Sequence, residues 1–339
     1  MFPCFLSHCL LLGVNLWNPT GMGMGIAAVL LTAFLLGMVH GITPDEHTWP
    51  ITFSYAVGSY SWKGGMTAGL LFSLTFTLQR MIACELAYGI FRNKFVDLIK
   101  HPMWNFVTYI IVGAVMFGSG LYILRRGRIP HLLHTHGIRG HGQAEARESA
   151  PFYMPLFHGF IAGWGTGAFA LITYVYLAPH MNSIYDAFLP GMFFGLGTLV
   201  MQMIVGALFG AWMARRKIHE NARALMAKLM SGRTLTWAGL GFVIVGAFGL
   251  IFPKIGDYSI NTGLHVHNLH SLGLGFFLAV IMLFCVAAVS FFKSLHDIRG
   301  LEFDVAAHEA HLHAADDGHD HGPGHAPLAA PAPGTASVN

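Results

Sequence analysis

The chain has 339 residues, 54% of them hydrophobic and only 10% charged, with a mean hydropathy of +0.56. A soluble globular domain carries about 25% charged residues, so this composition excludes one and points to an all-α, polytopic membrane protein. The net charge of +3 is small and the basic residues fall between apolar runs, which leaves nucleic-acid binding without support. Cys4, Cys9, Cys84 and Cys285 form no C-x-x-C pair, which argues against a thiol relay or a disulfide framework. Histidine is the anomaly: its 21 residues outnumber both the 19 Lys+Arg and the 16 Asp+Glu.

In chain order, residues 1–25 read as an apolar leader, interfacial or partly inserted, because they lack the basic start of a secretory signal. A first span begins near Ile26, breaks at 41–46 and continues to about Tyr60. A second runs from about Met66 to Ile90 and contains Gln79, Arg80 and Glu85. Arg80 lies too far inside the run to snorkel, so it is expected to face the bundle, towards Asp45 or Glu46. A basic, amphipathic connection (91–102) leads to a third span, Met103–Leu124, opened by Trp104 as an interface anchor.

Residues 125–151 form a His/Arg-rich loop. The fourth and fifth spans cover about Phe152–Ala178 and Ala187–Ala214, and a basic segment over 215–233 precedes the sixth, Leu235–Phe252. An outer histidine loop and a seventh span, Leu272–Phe292, fill 253–292. The Ala/Pro/Gly-rich tail, 293–339, cannot bury a core and is expected to be disordered. Basic residues concentrate in the connection at Lys63, in the 125–151 loop, at 215–233 and after the last span. That asymmetry favours a multi-pass protein of the plasma or inner membrane, with its N-terminus outside and its C-terminus cytoplasmic.

Gly37–Pro50, GMVHGITPDEHTWP, sets His40, Asp45, Glu46 and His47 within an otherwise uncharged apolar stretch. Ionisable groups at membrane depth cost roughly 2.5–3.5 kcal/mol each on insertion scales and are functional suspects by default. Gly41 suits a helix end. Thr43-Pro44-Asp45-Glu46 reads as a new start, with Thr43 as N-cap, Pro44 at the first helical position and Glu46 closing a capping box. The same four residues suit any helix start, but that alone leaves the coincidence of two histidines with two carboxylates unexplained. Half-helices meeting at such a break are a common way to build an ion site in a transporter.

The two halves resemble each other. His40-Gly41 recurs as His158-Gly159, and each pair precedes a break (GITPDEHTWP, GFIAGWGTGA). The stretch 69–82, GLLFSLTFTLQRMI, lines up with 191–204, GMFFGLGTLVMQMI. Three spans per half would make the repeats inverted, with broken first helices and one extra C-terminal helix, about seven spans in all. The first half would supply charged ligands. The second would supply His158, Thr166 and the carbonyls freed at Gly163, Gly165 and Gly167; close helix packing explains such glycines equally well. Thr43, Pro44, Gln79, Arg80, Thr166 and Gln202 are expected to line the path.

His40-Gly41-Ile42-Thr43-Pro44-Asp45-Glu46-His47 and Gly69-Leu70-Leu71-Phe72-Ser73-Leu74-Thr75-Phe76-Thr77 resemble the two motifs of the nickel/cobalt transporter family, within the lysine-exporter superfamily. The family patterns are of the type H-A-x-D-A-D-H and G-x-F-F-S-L-G-H-S. The interval between the histidines is one residue longer here, and Thr75-Phe76 replaces Gly-His. The resemblance implies a small membrane transporter in which His40, Asp45 and His47 ligate the metal.

Independently of the family, imidazole and carboxylate together suit borderline divalent metals such as Ni²⁺, Co²⁺ and Zn²⁺. Histidine must be neutral to bind them, so metal and proton compete. The expected activity is therefore proton-coupled export of a divalent transition metal, carried as substrate with no permanently bound cofactor, through a site of His40, Asp45, Glu46, His47 and His158. No nucleotide-binding G-x-x-x-x-G-K-[ST] occurs. Accessory metal contacts are expected at His131, His134, His136 and His141, at His265, His267 and His270, and in the tail at His308, His311 and His313. A solvated, pH-responsive tail is the plainer reading of the last group. The alternatives are an exporter of an organic or oxyanionic solute on the same fold, with Arg80 in an anion pocket, and a membrane redox carrier. No enzymatic constellation stands out.

Overall fold

A computed structural model describes residues 25–44, 48–89, 92–126, 153–165, 167–216, 220–261, 271–273, 277–278 and 280–298. The chain separates into a unit Met1–Leu295 and a unit His296–Asn339. Among the described residues the structure is all-α apart from one short hairpin.

The first apolar run divides into α1 (Ile26–Ile42) and α2 (Trp49–Gly58). At 17 residues α1 is about 25 Å long, short of the ~30 Å hydrocarbon core, so neither piece crosses a bilayer alone. Ser61 caps α3 (Trp62–Tyr88) by accepting from the Gly64 amide at 2.9 Å. The basic connection is itself helical, α4 (Arg92–Lys100), and leads to α5 (Pro102–Arg126). The next apolar run is again divided, into α6 (Tyr153–Ala162) and α7 (Ala168–Ile172). From α7 the chain winds on through a π turn, Thr173–Leu177, and a 3₁₀ turn, Ala178–His180. Then come α8 (Leu189–Ala214), α9 (Glu220–Ile251) and α10 (Ile281–Ile298), the last opening with a π turn at Ile281–Val286.

Among the described residues five helices, α3, α5, α8, α9 and α10, contain stretches long and apolar enough to cross a membrane. The chain is an integral membrane protein.

The most extensive helix contacts are α3 with α8 and α5 with α9; α1 packs on α8 and α6 on α3. Small residues let the α3–α8 backbones touch. A Cβ on Gly65 would strike the Gly206 carbonyl, and one on Gly206 would strike the Gly65 carbonyl. Gly69 packs on the Gln202 carbonyl and Gly191 on the Arg80 carbonyl. Without a hydrophobic drive between helices in lipid, such close approach is what holds a crossing together.

One local expectation is corrected. The second half-helix starts at Trp49, with Thr48 as N-cap, and not at Thr43-Pro44. The Thr43 hydroxyl donates back to the Val39 carbonyl at 2.7 Å, so Thr43 closes α1 and Pro44 follows as a stop. Most of the basic 215–233 segment is helical, because α9 begins at Glu220. The outer connection carries a hairpin, with Ser259 opposite Gly273, Ile260 opposite Leu272 and Asn261 opposite Ser271.

Candidate functional site

Both helix breaks face the α3–α8 crossing, and each is tied down by side chains from outside its own helix pair. At the first break α1 ends with its last carbonyls unpaired by the helix, as every helix does. The Gly41 carbonyl accepts from the Trp49 indole at 3.2 Å and from the Gln202 amide at 3.1 Å. Gln202 also donates to the Thr48 hydroxyl at 3.3 Å, so one α8 side chain holds both lips of the break. One turn earlier, Thr198 of α8 donates to the Gly37 carbonyl at 3.1 Å.

At the second break the Trp164 carbonyl accepts from the Trp104 indole at 3.1 Å, and the Gly165 carbonyl accepts from the Arg80 guanidinium at 3.2 Å. Arg80 donates as well to the Tyr174 hydroxyl. Thr75 of α3 donates to the Leu156 carbonyl at 2.5 Å. A Cβ on Gly163 would meet the Gln79 side chain, so α3 lies directly against this break. In the two stretches that resemble each other, 69–82 and 191–204, Arg80 and Gln202 occupy the same place. Each reaches into the break of the opposite half.

His40 is buried between the two central helices. Its ring lies 5.7 Å from Phe76 of α3 in a stacked arrangement, 5.3 Å from Phe194 of α8 and 6.3 Å from Phe169 of α7. The Arg80 guanidinium stands over the same two rings, 4.5 Å from Phe76 and 5.6 Å from Phe194, and 5.6 Å from Tyr174. Desolvated contacts of this kind contribute about 2 kcal/mol and help keep an arginine that is only 2% exposed. Among the described residues no carboxylate pairs with it.

His158 is buried on α6. Its Nδ1 lies 2.9 Å from the Met154 carbonyl, and since a carbonyl only accepts, Nδ1 carries the proton. The Tyr55 hydroxyl of α2 is 3.1 Å from the same nitrogen. Nε2 is buried, and the ring borders a cavity of about 600 Å³ that opens between Thr75, Ser119 and Phe157. Among the described residues Gln79 Oε1, Gln202 Oε1 and Arg80 Nε are buried without a partner, as are the hydroxyls of Thr52, Ser73 and Thr234. The Gln202 assignment is firm, because the atom facing the Gly41 carbonyl must be the nitrogen. A buried polar group without a partner costs about 1–3 kcal/mol.

Of the residues expected from sequence, His40, Gln79, Arg80 and Gln202 lie at the buried breaks and His158 is buried within α6; Thr43 and Pro44 edge the first break. Asp45, Glu46, His47 and Thr166 lie outside the described residues. So do the accessory histidines His131, His134, His136, His141, His265, His267, His270, His308, His311 and His313. Among the described residues no group of three His, Cys, Asp or Glu is close enough to hold a metal ion. Sequence reasoning missed Trp49, Tyr174 and the Phe76–Phe194 pair, and took Trp104 only as an interface anchor, not as a donor to the second break. The equivalence of Arg80 and Gln202 was already present in the aligned stretches. No protein-family model, curated protein or solved structure matches the chain.

Proposed function

We infer that the chain is a transporter of divalent transition-metal ions, built from two inverted three-helix repeats and a further C-terminal helix, and that it exports its substrate in exchange for protons. The observation that carries this reading is the reciprocal tie. Gln202 of the second half closes the first break and Arg80 of the first half closes the second, from equivalent places on two helices that cross at glycines. Rocking one half against the other would loosen one tie at a time, which is how a site between repeats is opened to alternate sides.

The metal assignment rests on His40, buried at the first break, followed within seven residues by Asp45, Glu46 and His47. In this reading the ion dwells on imidazole and carboxylate, helped by the unspent oxygen of Gln202, and protonation of the ligands releases it. The N-terminus is outside and the C-terminus cytoplasmic. In a transport-deficient host the chain should raise tolerance to Ni²⁺ or Co²⁺, and His40→Ala and His47→Ala should each abolish the gain while the protein remains inserted. Full protection by the double variant would end the assignment.

Arg80 favours a second reading, an exporter of an anionic solute on the same scaffold. A permanent cation sharing its aromatic walls with His40 attracts an anion and opposes a dication. In that case the host gains no metal tolerance, and Arg80→Gln abolishes anion efflux.

A further inference from the structure

On the outside of the bundle, α2, α8, α9 and α10 enclose an open groove of about 510 Å³. Its walls are Phe53, Phe209, Trp212, Leu283, Phe284 and Phe291, rings and aliphatic chains throughout. Arg216, at the end of α8, closes one side. Its guanidinium lies 4.6 Å from the Trp212 ring and 5.6 Å from Phe291, and those two rings are 5.4 Å apart. The aromatic faces hold the cation at the rim, while none of its donors meets a carboxylate among the described residues. Arg216 is exposed, as are Leu208, Phe284 and Phe292 around it.

We propose that this groove binds one anionic phospholipid of the surrounding bilayer, with its phosphate on Arg216 and an acyl chain laid along the aromatic wall. The argument is charge complementarity at a fixed depth. Trp212 and Arg216, one turn apart where a long apolar helix ends, mark the headgroup level. The groove runs from there into the apolar belt. A zwitterionic lipid would fill the same channel, but its choline cation would meet Arg216 unfavourably. The groove also touches Trp49, whose indole ties the first break, but what it binds does not depend on what the breaks transport.

The test uses the full chain in nanodiscs containing phosphatidylcholine and a few per cent of acyl-brominated lipid, either phosphatidylglycerol or phosphatidylcholine. Bromine quenches tryptophan only on contact, and a Trp212→Phe variant identifies the Trp212 share of the signal. The expected result is half-maximal quenching of Trp212 at about a fivefold lower mole fraction of the anionic lipid. In Arg216→Gln that preference should vanish, and Ala288→Phe, which narrows the groove, should reduce Trp212 quenching by both lipids. Equal quenching by the two lipids in the parent overturns the proposal. So does a preference that survives Arg216→Gln, or a Trp212 signal that follows protein density instead of lipid, as a second copy in the groove would give.

Discussion

The two helix breaks share a plan and differ in charge. Each has an indole on a freed carbonyl, Trp49 of the same half on Gly41 and Trp104 of the opposite half on Trp164, and each is held by a further polar side chain from the opposite half. At the first break that side chain is the neutral amide of Gln202; at the second it is the Arg80 guanidinium. A neutral clamp can stand beside a charged ligand set without opposing it. The Arg80 guanidinium lies against the same Phe76 and Phe194 rings that flank His40, so a dication at His40 would have to offset that charge. Equivalent scaffolding thus carries unequal charge at the two breaks.

The comparison breaks outright if the crossing it hangs on is destroyed. Gly206→Val drives two methyl groups towards the Gly65 carbonyl, backbone against backbone, where overpacking costs about 1–3 kcal/mol or more. The expected result is loss of the monodisperse peak in detergent size-exclusion chromatography; a normal peak would mean that the α3–α8 contact is not needed.

Next in size is Arg80→Met. Removing a buried cation relieves desolvation but leaves the Gly165 carbonyl and the Tyr174 hydroxyl without their donor. The relieved desolvation of the lone cation offsets the about 1–3 kcal/mol lost at each orphaned group, so melting temperature should move little. Transport should fall at least tenfold in flux assays. A large drop in stability with transport intact would assign Arg80 a structural role alone.

Gln202→Leu sharpens the contrast from the other side. It loses bonds to the Gly41 carbonyl and the Thr48 hydroxyl, each of them an interhelical bond worth about 0.6 kcal/mol in membranes. Stability should therefore fall by about 1 kcal/mol, with a moderate loss of transport, read by thermal unfolding and flux on the same sample. Deleting 306–339 should matter least, changing apparent metal affinity but not maximal rate. A changed maximal rate would contradict a purely accessory tail.

Much of this organisation was legible in the sequence. Charge at membrane depth marked the first break, the recurring His-Gly marked the second, and the depth of Arg80 in its span already required it to face inward. What escaped depends on choices a linear pattern leaves open. Thr43-Pro44 satisfies the rules for starting a helix, yet the same hydroxyl reaches back to Val39 and ends one, and Thr48 takes the N-cap. The rings around His40 come from α3, α7 and α8 and converge only through packing. The Ser259–Gly273 hairpin pairs three residues per strand, too few for alternation to register.

The central claim is that a divalent metal passes through the buried junction at His40. Its most direct measurement is Ni²⁺ or Co²⁺ flux into proteoliposomes under an imposed pH gradient, with the parent protein and His40→Ala side by side. The account predicts gradient-dependent flux in the parent and background flux in the variant. Equal flux in both, or none in the parent at any gradient, would contradict it.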